Sequence, residues 1–464
     1  MAQSGMGPSG ERDQLGGLYG LSAELVRDVQ TALAEDRTEA VVEAIGRLHA
    51  ADQADLFEQL APDERERMVS VAAGVLQLEF FAYLDETVRE EMLEELDTGQ
   101  IAAVIQGLDS DDAIDLIEDL EEDEQRELLA ELPAAARALF EEGLAYPEDS
   151  AGRLMQREAA IVPSFWTVGR TIDHMRVAGD AMPKTFYDIF VLGPTYRPLG
   201  IVPVSRLLRA TRDTEITALM QEDIKVIPAE MDQENVAFLF RQYGLVSAPV
   251  VDAHGRMVGV VTVDDVVEVI HEEHEEDILN LAGLKEDDFY DAVLYTTRAR
   301  SSWLLVNVFT AFLAASVIGL FDGVIEKVVA LAVLMPIVAS MGGNAGLQTL
   351  TVAVRALAMK ELTPSNAMRI VGKEVLVGGI NGFVFAIVVG GVAWAWFGRL
   401  EIGLVIAGAM AINLIVAGFM GTIIPLALDR MRIDPAVGSS VILTTITDVV
   451  GFFVFLGLGS LILI

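Results

Sequence analysis

Five long apolar segments after residue 300 constrain the fold of this 464-residue chain more than any other feature. They lie at about 302–321, 326–350, 370–397, 402–428 and 436–463. Each one reaches the length of about 20 mostly apolar residues that a helix needs to cross a bilayer. Lipid offers the backbone no hydrogen-bond partner, so the segments must be helices rather than open strands. The sequence therefore predicts an all-α membrane domain with five spans.

The second span contains a glycine-rich polar patch, Gly342-Gly-Asn-Ala-Gly346, and Gln348 follows it two residues later. Glycine weakens a helix, so we expect the helix to be interrupted here while Asn344 adds an amide. A loosened backbone at membrane depth has to face protein or a water-filled path. The patch is therefore a candidate wall of an ion pathway. An arginine-bearing loop follows it, which places it in the cytoplasmic half of the span.

Asp448 is the one carboxylate that we find well inside a span, and no basic residue lies near it in its own segment. A carboxylate at this depth costs several kcal/mol unless it is paired, hydrated or bound to a metal. Thr445 and Thr444 lie three and four residues earlier, so their hydroxyls share its helix face. A protonated Asp448 bonded to a neighbouring helix is the alternative, but the pattern favours a cation site. For Asn381 and Asn413, bonds between helices and pore lining are both open.

Charge divides the chain into two parts. The chain has 70 Asp and Glu against 32 Lys and Arg, a formal net charge of −38. Residues 296–464 hold ten basic and eight acidic residues, so the excess lies almost wholly in residues 1–295. Such an acidic part repels nucleic acid and attracts cations. The chain has no cysteine, which excludes disulfides and thiolate metal sites.

Basic residues beside the spans predict the orientation. Eight of them fall on the side of the N-terminus, and only Lys327 and Arg399 fall on the other. The positive-inside rule then places the N-terminus and the acidic domains in the cytoplasm and the C-terminus outside. The eight residues are Arg298, Arg300, Arg355, Lys360, Arg369, Lys373, Arg430 and Arg432.

A repeat of 12 residues runs from Leu48 to Leu132. Each unit has a pair of adjacent apolar residues, from Leu56-Phe57 to Leu128-Leu129. Short helices that cannot bury their own apolar stripe must stack, so we expect an all-α repeat domain. Its outward faces are acidic, especially from Asp109 to Glu124, and are either a solvated surface or a face that senses divalent cations. The register residues are Leu48, Leu60, Ala72, Leu84, Leu96, Leu108, Leu120 and Leu132.

Residues from about 150 to 272 contain a duplicated pattern. Residues 190–208 resemble residues 249–267 as a strand, a polar turn, a second strand and the start of a helix. The segment Gly259-Val-Val-Thr-Val-Asp-Asp265 resembles the strand-to-helix motif of CBS (cystathionine-β-synthase-type) domains. The resemblance implies an α/β pair of CBS domains in which Thr262 and Asp265 bind the phosphate and ribose of a nucleotide. Asp265 as a plain helix cap is the alternative.

A charged segment follows and leads to the first span. Glu273, Glu276 and Asp277 lie at i, i+3 and i+4, so one helix face could bind a divalent ion together with a neighbouring domain. His271 and His274 are three residues apart, whereas a helical zinc-protease motif needs four. We therefore predict a connecting helix and no enzyme.

The order of acidic helical repeats, paired CBS domains, charged connecting helix and five spans resembles the MgtE family of magnesium transporters or channels. Pro336, the Gly342–Gly346 patch, Gln348 and Asp448 in its Thr-Asp-Val-Val-Gly setting are the most specific points of resemblance. The implied fold is a multidomain membrane protein with all-α, α/β and all-α parts. Its predicted domains are a disordered tail (1–24), the acidic helical-repeat domain (25–147), tandem CBS domains (148–270), the connecting helix (271–297) and the five-helix transmembrane pore domain (298–464).

The resemblance implies a homodimeric Mg²⁺ channel or transporter of the cell inner membrane. Asp448 of each subunit would bind hydrated Mg²⁺, while Asn344 and Thr445 would line the path. Intracellular Mg²⁺ would close the pore by bridging acidic cytosolic faces, and ATP is a further candidate ligand through Thr262 and Asp265. The regulatory residues that match the family are Asp111, Asp115, Asp232, Glu234, Glu273, Glu276, Asp277 and Asp434.

Two other functions remain open at this point, a channel for another divalent ion such as Mn²⁺ or Co²⁺ and a membrane-anchored nucleotide sensor. A pore site without Cys, Met or His favours a hard ion, and a plain anchor does not need Asp448 at membrane depth. The chain departs from the family pattern at Gly244, where a member can have a carboxylate. It also departs at Leu347, where some members have a polar residue.

Overall fold

The structure is a computed structural model that describes residues 20–72, 74–179, 182–284 and 293–464. The chain forms two compact units, the N-terminal unit Met1–Ile270 and the C-terminal unit His271–Ile464.

Short helices build the first part of the N-terminal unit, as the repeat predicts. Their first residues keep the 12-residue spacing, as at Ala50 and Pro62 and again at Thr98 and Ser110. The apolar pairs form the core, and Leu56 and Phe57 are both fully buried. One unit of the repeat forms the 3-10 helix Leu78–Tyr83 instead of an α-helix. The α-helices are α1 Ala23–Ala34, α2 Thr38–Ile45, α3 Ala50–Glu58, α4 Pro62–Ala72, α5 Glu86–Glu94, α6 Thr98–Ile105, α7 Ser110–Glu118, α8 Glu122–Glu131 and α9 Ala134–Leu144.

Side-chain caps fix several of these helix starts. Asp97 and Gln100 form a reciprocal capping box at the start of α6, which satisfies backbone N–H groups that a helix end leaves open. At the start of α1, the Ser22 side chain accepts a hydrogen bond of 3.1 Å from the Leu25 backbone N–H. Helix α1 thus begins at Ala23, two residues before residue 25, where the helical-repeat domain is predicted to start. Residues 1–19 of that tail lie outside the described residues.

Two three-stranded sheets confirm the predicted duplication. In each, the first strand pairs in parallel with the second, and the second pairs antiparallel with the third. Gly200 and Gly259 occupy the same place in the two copies, and at each a Cβ would come within 2.3 to 2.6 Å of neighbouring atoms. The elements are α10 Ala151–Leu154, β1 Ile161–Pro163, α11 Val168–Ala178, β2 Asp188–Leu192, β3 Pro198–Pro203, α12 Val204–Leu207, α13 Ile216–Leu219, β4 Ile227–Pro228, α14 Gln233–Tyr243, β5 Ser247–Val251 and β6 Met257–Thr262.

The connecting segment continues the helix that begins in the second sheet copy. Helix α15 spans Val263–Ala282 and ends at Gly283, whose φ of +80° is in the left-handed region. The prediction of one separate helix over 271–297 is therefore wrong, because helix α15 starts earlier and stops at Ala282. Residues 285–292 lie outside the described part, and the next helix begins at Val293.

The C-terminal unit contains five helices that are long and apolar enough to cross a membrane, which confirms the predicted spans. The fourth spanning helix is the most buried, and the first is the least covered by the other described helices. The spanning helices are α16 Val293–Gly319, α18 Ala330–Ala358, α19 Ala367–Phe397, α20 Leu400–Arg430 and α21 Ser439–Leu463, and α17 Asp322–Lys327 is a short helix before the second.

Candidate ion pathway and metal centres

The glycine-rich patch does not interrupt its helix, so this expectation is wrong. Helix α18 runs through it without a break. A Cβ on Gly342 would lie 2.2 Å from Asn413 Nδ2, and one on Gly346 would lie 3.0 Å from the side chain of Leu443. The glycines therefore let α20 and α21 pack closely on α18. This packing outweighs the low helix propensity of glycine.

Asn413 joins two of these helices from inside the unit. Its side chain is fully buried, and Nδ2 donates a hydrogen bond of 3.0 Å to the backbone carbonyl of Val338. Its Oδ1 has no hydrogen-bond partner among the described residues. Of the two interpretations of this amide, the structure favours the bond between helices, whereas Asn381 lies on an exposed face.

The half-buried carboxylate of Asp448 makes no hydrogen bond or ion pair with any described residue. The neighbouring hydroxyls donate to their own helix: Thr445 Oγ1 donates to the Val441 carbonyl at 2.6 Å, and Thr444 Oγ1 donates to the Ser440 carbonyl at 3.0 Å. Their oxygen lone pairs stay available as acceptors. The site thus offers oxygen ligands and a carboxyl group without a compensating cation among the described residues.

Contacts between α18 and α21 set the level of Asp448 in the unit. Gly451 faces Val338, since a Cβ on Gly451 would lie 3.3 Å from the Val338 side chain. The helices are antiparallel and rise equally per residue, so Asp448 lies level with the turn that contains Ser340. Asn344, one turn away on α18, donates from Nδ2 to Ser340 Oγ at 3.4 Å. The predicted pore residues Asn344, Thr445 and Asp448 therefore lie at neighbouring levels of two packed helices.

Glu374 is a carboxylate four residues inside the predicted third span, nearer a span end than Asp448. Only 13% of its side chain is exposed, and Lys373 Nζ lies 3.4 Å from its Oε1. Its Oε2 accepts a hydrogen bond of 3.4 Å from Thr349 Oγ1 on α18. Unlike Asp448, this carboxylate has partners, so it links α19 to α18. Its place four residues inside the span of 370–397 could have revealed it in the sequence.

A polar cluster, called here the Asn280 cluster, joins the end of α15 to the segment before α21. It consists of Glu276, Asp277, Asn280 and Asp434. The buried Asn280 amide donates from Nδ2 to Glu276 Oε1 and to Asp434 Oδ2, both at 3.1 Å. Burial, followed by the charges of Asp434 and Glu276, raises the pKa of Asp277 to about 6.

The Asn280 cluster thus unites three of the predicted regulatory residues, and half-buried Glu273 lies one turn earlier on α15. Sequence reasoning missed Asn280 because it considered only acidic ligands there. Its spacing of four residues from Glu276 was the available signal.

A second acidic cluster lies in the N-terminal unit, where α7 faces the start of α15. Asp111 is 7% exposed, and its Oδ1 has no hydrogen-bond partner among the described residues. Burial, followed by the charges of Asp265 and Asp109, raises the pKa of Asp112 to about 7. Burial also raises the pKa of Asp265 to about 6, against the lowering effect of its hydrogen bond with Thr262. We call Asp111, Asp112 and Asp265 the α7 cluster. The sequence analysis placed Asp111 and Asp112 on the acidic face that could sense divalent cations, but it considered Asp265 only as a nucleotide ligand or a helix cap.

Asp115 lies one turn beyond the α7 cluster and has a different partner. Its Oδ2 lies 2.7 Å from Arg89 Nη1, and the buried Arg89 guanidinium also pairs with Asp119. Across the described residues, no three acidic or histidine side chains converge as a metal site. Mg²⁺ often keeps several waters and binds through one or two carboxylates, so the pairs seen here still suit that ion.

Asp232 and Glu234 lie at the start of α14 and belong to neither cluster. The Asp232 side chain caps this helix and accepts a hydrogen bond of 3.3 Å from the Asn235 backbone N–H. The same helix ends at Gly244, whose φ of +61° favours glycine. This backbone explains the departure from a carboxylate at that position. Leu347 is 41% exposed on α18, and nothing in the structure explains its replacement of a polar residue.

A cavity of about 240 Å³ lies among the strands of the two sheet copies. Asp188 of β2, Ser247 of β5 and Thr262 of β6 line it. Ser247 Oγ donates to Asp188 Oδ2 at 2.8 Å, and burial raises the pKa of Asp188. Lys184 adds a positive charge at its wall, where Nζ pairs with Glu79 Oε1 at 2.8 Å.

The two predicted nucleotide residues differ in their relation to this cavity. Thr262 lines the cavity, but Asp265 does not. The acidic residue that lines it instead is Asp264. Asp265 Oδ2 accepts hydrogen bonds from the Thr262 backbone N–H at 3.3 Å and from Thr262 Oγ1 at 2.7 Å. These are the bonds of a helix cap at the start of α15.

Models of three protein families match successive parts of the chain. The model of the MgtE intracellular N domain matches residues 48–149, and the CBS domain model matches residues 215–272. The model of MgtE, described as a divalent cation transporter, matches residues 335–458 and so includes Asn344 and Asp448.

Three curated relatives have the name magnesium transporter MgtE. The protein of Bacillus subtilis is 27% identical over 94% of this chain and 97% of its own length. That of Thermus thermophilus is 29% identical over 96% and 99%. That of Enterococcus faecalis is 31% identical over 69% of this chain and 71% of its own length.

Two solved structures resemble the soluble part. One is the cytosolic domain of the Mg²⁺ channel MgtE in complex with ATP, at 29% identity and a TM-score of 0.49 over 53% of this chain and 99% of that chain. The other is the soluble part of a magnesium transporter, at 23% identity and a TM-score of 0.48 over 54% and 98%. From the family models and the curated relatives, the chain belongs to the MgtE family of divalent cation transporters, which are membrane transporters or channels and not enzymes.

Proposed function

We propose that this protein is an Mg²⁺-selective channel or transporter in which Asp448 binds the permeating ion. The observation that supports this most is the Asp448 carboxylate inside a spanning helix without a partner among the described residues. A charge in that position is costly unless water or a cation compensates it. The neighbouring hydroxyl and amide oxygens suit hard ions such as Mg²⁺, Ca²⁺ and Mn²⁺, and the relatives named magnesium transporter favour Mg²⁺ among them.

The proposed active form is a homodimer in the inner membrane. Asn344 is exposed and Asp448 half-exposed in the single chain, so a second copy could face them and enclose a hydrated ion with two carboxylates. The soluble domains lie in the cytoplasm and the C-terminus outside, as the basic residues beside the spans indicate.

The proposed gate closes when intracellular Mg²⁺ binds the acidic clusters. The Asn280 cluster and the α7 cluster both hold carboxylates close together, and in the described part of the chain their hydrogen bonds run to Asn280 and Thr262 rather than to basic side chains. A divalent ion there would offset the repulsion and favour the compact arrangement. The Asn280 cluster is the better candidate for direct control, because Asp434 lies just before the helix that contains Asp448.

ATP is proposed as a ligand of the 240 Å³ cavity in the CBS pair. Thr262 offers a hydroxyl to phosphate groups there, and Lys184, which pairs with Glu79, is the basic residue of a lining that also contains several carboxylates. Thr262→Val should weaken ATP binding to the full-length protein, whereas Asp265→Asn should affect it less because Asp265 caps α15. Isothermal titration calorimetry would compare the two variants.

Flux into proteoliposomes, with Mg²⁺, Mn²⁺, Co²⁺ and Ca²⁺ compared, tests the transport proposal. Asp448→Ala should reduce Mg²⁺ flux at least about tenfold, because the pore then lacks its charge. Glu401→Ala is the matched control, since that carboxylate is 54% exposed at the outer start of α20. Normal flux in Asp448→Ala would refute the pore assignment. Nucleotide binding without flux of any ion would favour the anchored sensor.

Neutralising Glu273, Glu276 and Asp277 together tests the gate. The triple variant should stay active at Mg²⁺ concentrations on the cytosolic face that inhibit the wild type. Glu275→Gln, on the same helix with 48% of its side chain exposed, should keep normal inhibition. If the triple variant is inhibited like the wild type, the connecting-helix site does not control the pore.

A further inference from the structure

Trp303 on α16 fills the space between two glycines with left-handed backbones. A Cβ on Gly283 would lie 1.6 Å from Trp303 Nε1, and a Cβ on Gly438 would lie 3.2 Å from Trp303 Cη2. Gly283 has a φ of +80° and ends α15, whereas Gly438 has a φ of +68° and immediately precedes α21. The indole therefore touches the end of the connecting helix and the start of the helix that contains Asp448.

A polar link runs parallel to this apolar one. Asn280 Nδ2 donates to Asp434 Oδ2 at 3.1 Å, and Asp434 Oδ1 accepts from the Ala436 backbone N–H at 2.8 Å. Ala436 is two residues before Gly438. The last turn of α15 is thus joined twice to the same short segment, once through Asp434 and once through Trp303.

We infer that Trp303 is a positioning residue that couples the connecting helix to the pore helix. This inference depends on the proposed gating by Mg²⁺. Asp448 follows Gly438 by ten residues on an unbroken helix, so a tilt at Gly438 moves the Asp448 carboxylate. The glycine backbone at Gly438 permits such a tilt, because no Cβ restricts its φ. Because the indole contacts both glycines, a displacement of Gly283 also displaces Gly438.

The surroundings of Trp303 suit a coupling role better than a role in the core. Helix α16 is the least covered of the five spanning helices, so it can shift with α15. Trp303 is only partly buried, and it belongs neither to the apolar core around Leu331 nor to the one around Leu350 that the described residues form. Leu281, two residues before Gly283, packs against the apolar cluster that includes Leu350 and Leu443. The end of α15 therefore stays docked when the indole is removed.

Mg²⁺ flux through the full-length protein in proteoliposomes tests the coupling. Without Mg²⁺ on the cytosolic face, Trp303→Ala should keep flux within about twofold of the wild type. The Mg²⁺ concentration for half-inhibition should rise about tenfold, which is the size of a typical coupling between sites. The half-inhibition concentration of Trp303→Phe should lie between those of the wild type and Trp303→Ala. Trp396→Ala is the control, since that indole is 68% exposed on another spanning helix.

Gly283→Ala tests the same contact from the other side. Its Cβ would collide with the indole, so the half-inhibition concentration should rise as in Trp303→Ala. Gly398→Ala is the matched control, because Gly398 has a similar φ of +66° but no atom within 4 Å of a Cβ. It shares the backbone strain and should leave inhibition unchanged. Trp303→Phe and Gly283→Ala also decide the matter if Trp303→Ala does not fold.

A distance measurement separates this inference from the proposed gate. The chain has no cysteine, so spin labels can be placed at Ile278 and Met431, which are 68% and 67% exposed. Mg²⁺ should narrow their distance distribution in the wild type but not in Trp303→Ala. Unchanged inhibition and unchanged distances in Trp303→Ala and Gly283→Ala would overturn the coupling. If Mg²⁺ does not inhibit the wild type, the proposed gating by Mg²⁺ is wrong. The distances between the spin labels would then still show whether Trp303 positions α15.

Discussion

Replacing Asp112 by asparagine should stabilise the N-terminal unit at pH 8 and do so much less at pH 5. Burial and neighbouring carboxylates raise the pKa of Asp112 from 3.8 to about 7. The folded state then binds a proton more tightly than the unfolded state, so a stabilising contribution that is complete below about pH 4 is lost as the pH rises through 7. The difference between a pKa of 3.8 and one of about 7 corresponds to about 4 kcal/mol, and because neighbouring carboxylates can take up the proton instead, the expected gain at pH 8 is about 2 kcal/mol.

Hydrogen exchange of the α7 amides in the full-length protein measures this effect as a local opening free energy. A gain of about 2 kcal/mol slows exchange through that opening about 30-fold. Rates at the two pH values are compared after correction for the intrinsic exchange of each amide. Asparagine keeps the volume of the side chain and removes only its charge, so the difference reports ionisation rather than packing.

Asp123→Asn is the matched control on the neighbouring helix, because 85% of the Asp123 side chain is exposed. We expect it to change the opening free energy by less than about 0.5 kcal/mol at either pH. Mg²⁺ should slow exchange in the wild type more than in Asp112→Asn, since the variant has less negative charge to compensate. Equal exchange of Asp112→Asn and the wild type at pH 8 would refute the reasoning.

Two further substitutions test the packing and charge arguments. Gly378→Val should destabilise the C-terminal unit by at least about 1–3 kcal/mol in thermal unfolding in detergent, because a Cβ would lie 2.5 Å from the Leu414 carbonyl oxygen. Gly391→Val on the same helix, where no atom lies within 4 Å, should have little effect. Arg89→Ala should cost about 3–5 kcal/mol, because it leaves the largely buried Asp119 carboxylate without its cation. Faster limited proteolysis of the repeat domain would show this loss, and unchanged cleavage would contradict it.

Periodic local patterns predicted the fold well. The 12-residue repeat predicted stacked short helices, because adjacent apolar residues such as Leu56 and Phe57 can be buried only between neighbouring units. The duplicated strand-turn-strand pattern predicted the two sheets, and the equivalent glycines Gly200 and Gly259 lie at the same close approach in both. The five spans followed from apolar length alone.

The site was harder to predict because its chemistry depends on partners distant in sequence. The Gly342–Gly346 patch has low helix propensity, yet α18 continues through it since α20 and α21 pack against its glycines. Asn280 donates a hydrogen bond to Asp434, which is 154 residues away in the sequence, and no sequence pattern in either segment predicts this contact. Packing likewise gives Glu374 a hydrogen bond from Thr349 on another helix, whereas it gives Asp448 no partner among the described residues.

The sequence by itself determined which segments enter the membrane, which segments repeat, and that Asp448 is an ionisable group at membrane depth. Those properties follow from hydrophobic length, periodicity and the cost of a charge in lipid, all of which are local. Only the tertiary structure decided that the glycines bring helices together and that Asn413 bonds between them. It alone placed Trp303 between the end of α15 and the start of α21. Contacts of this kind depend on the shapes of surfaces far apart in the chain, and close packing selects them only after the helices have formed.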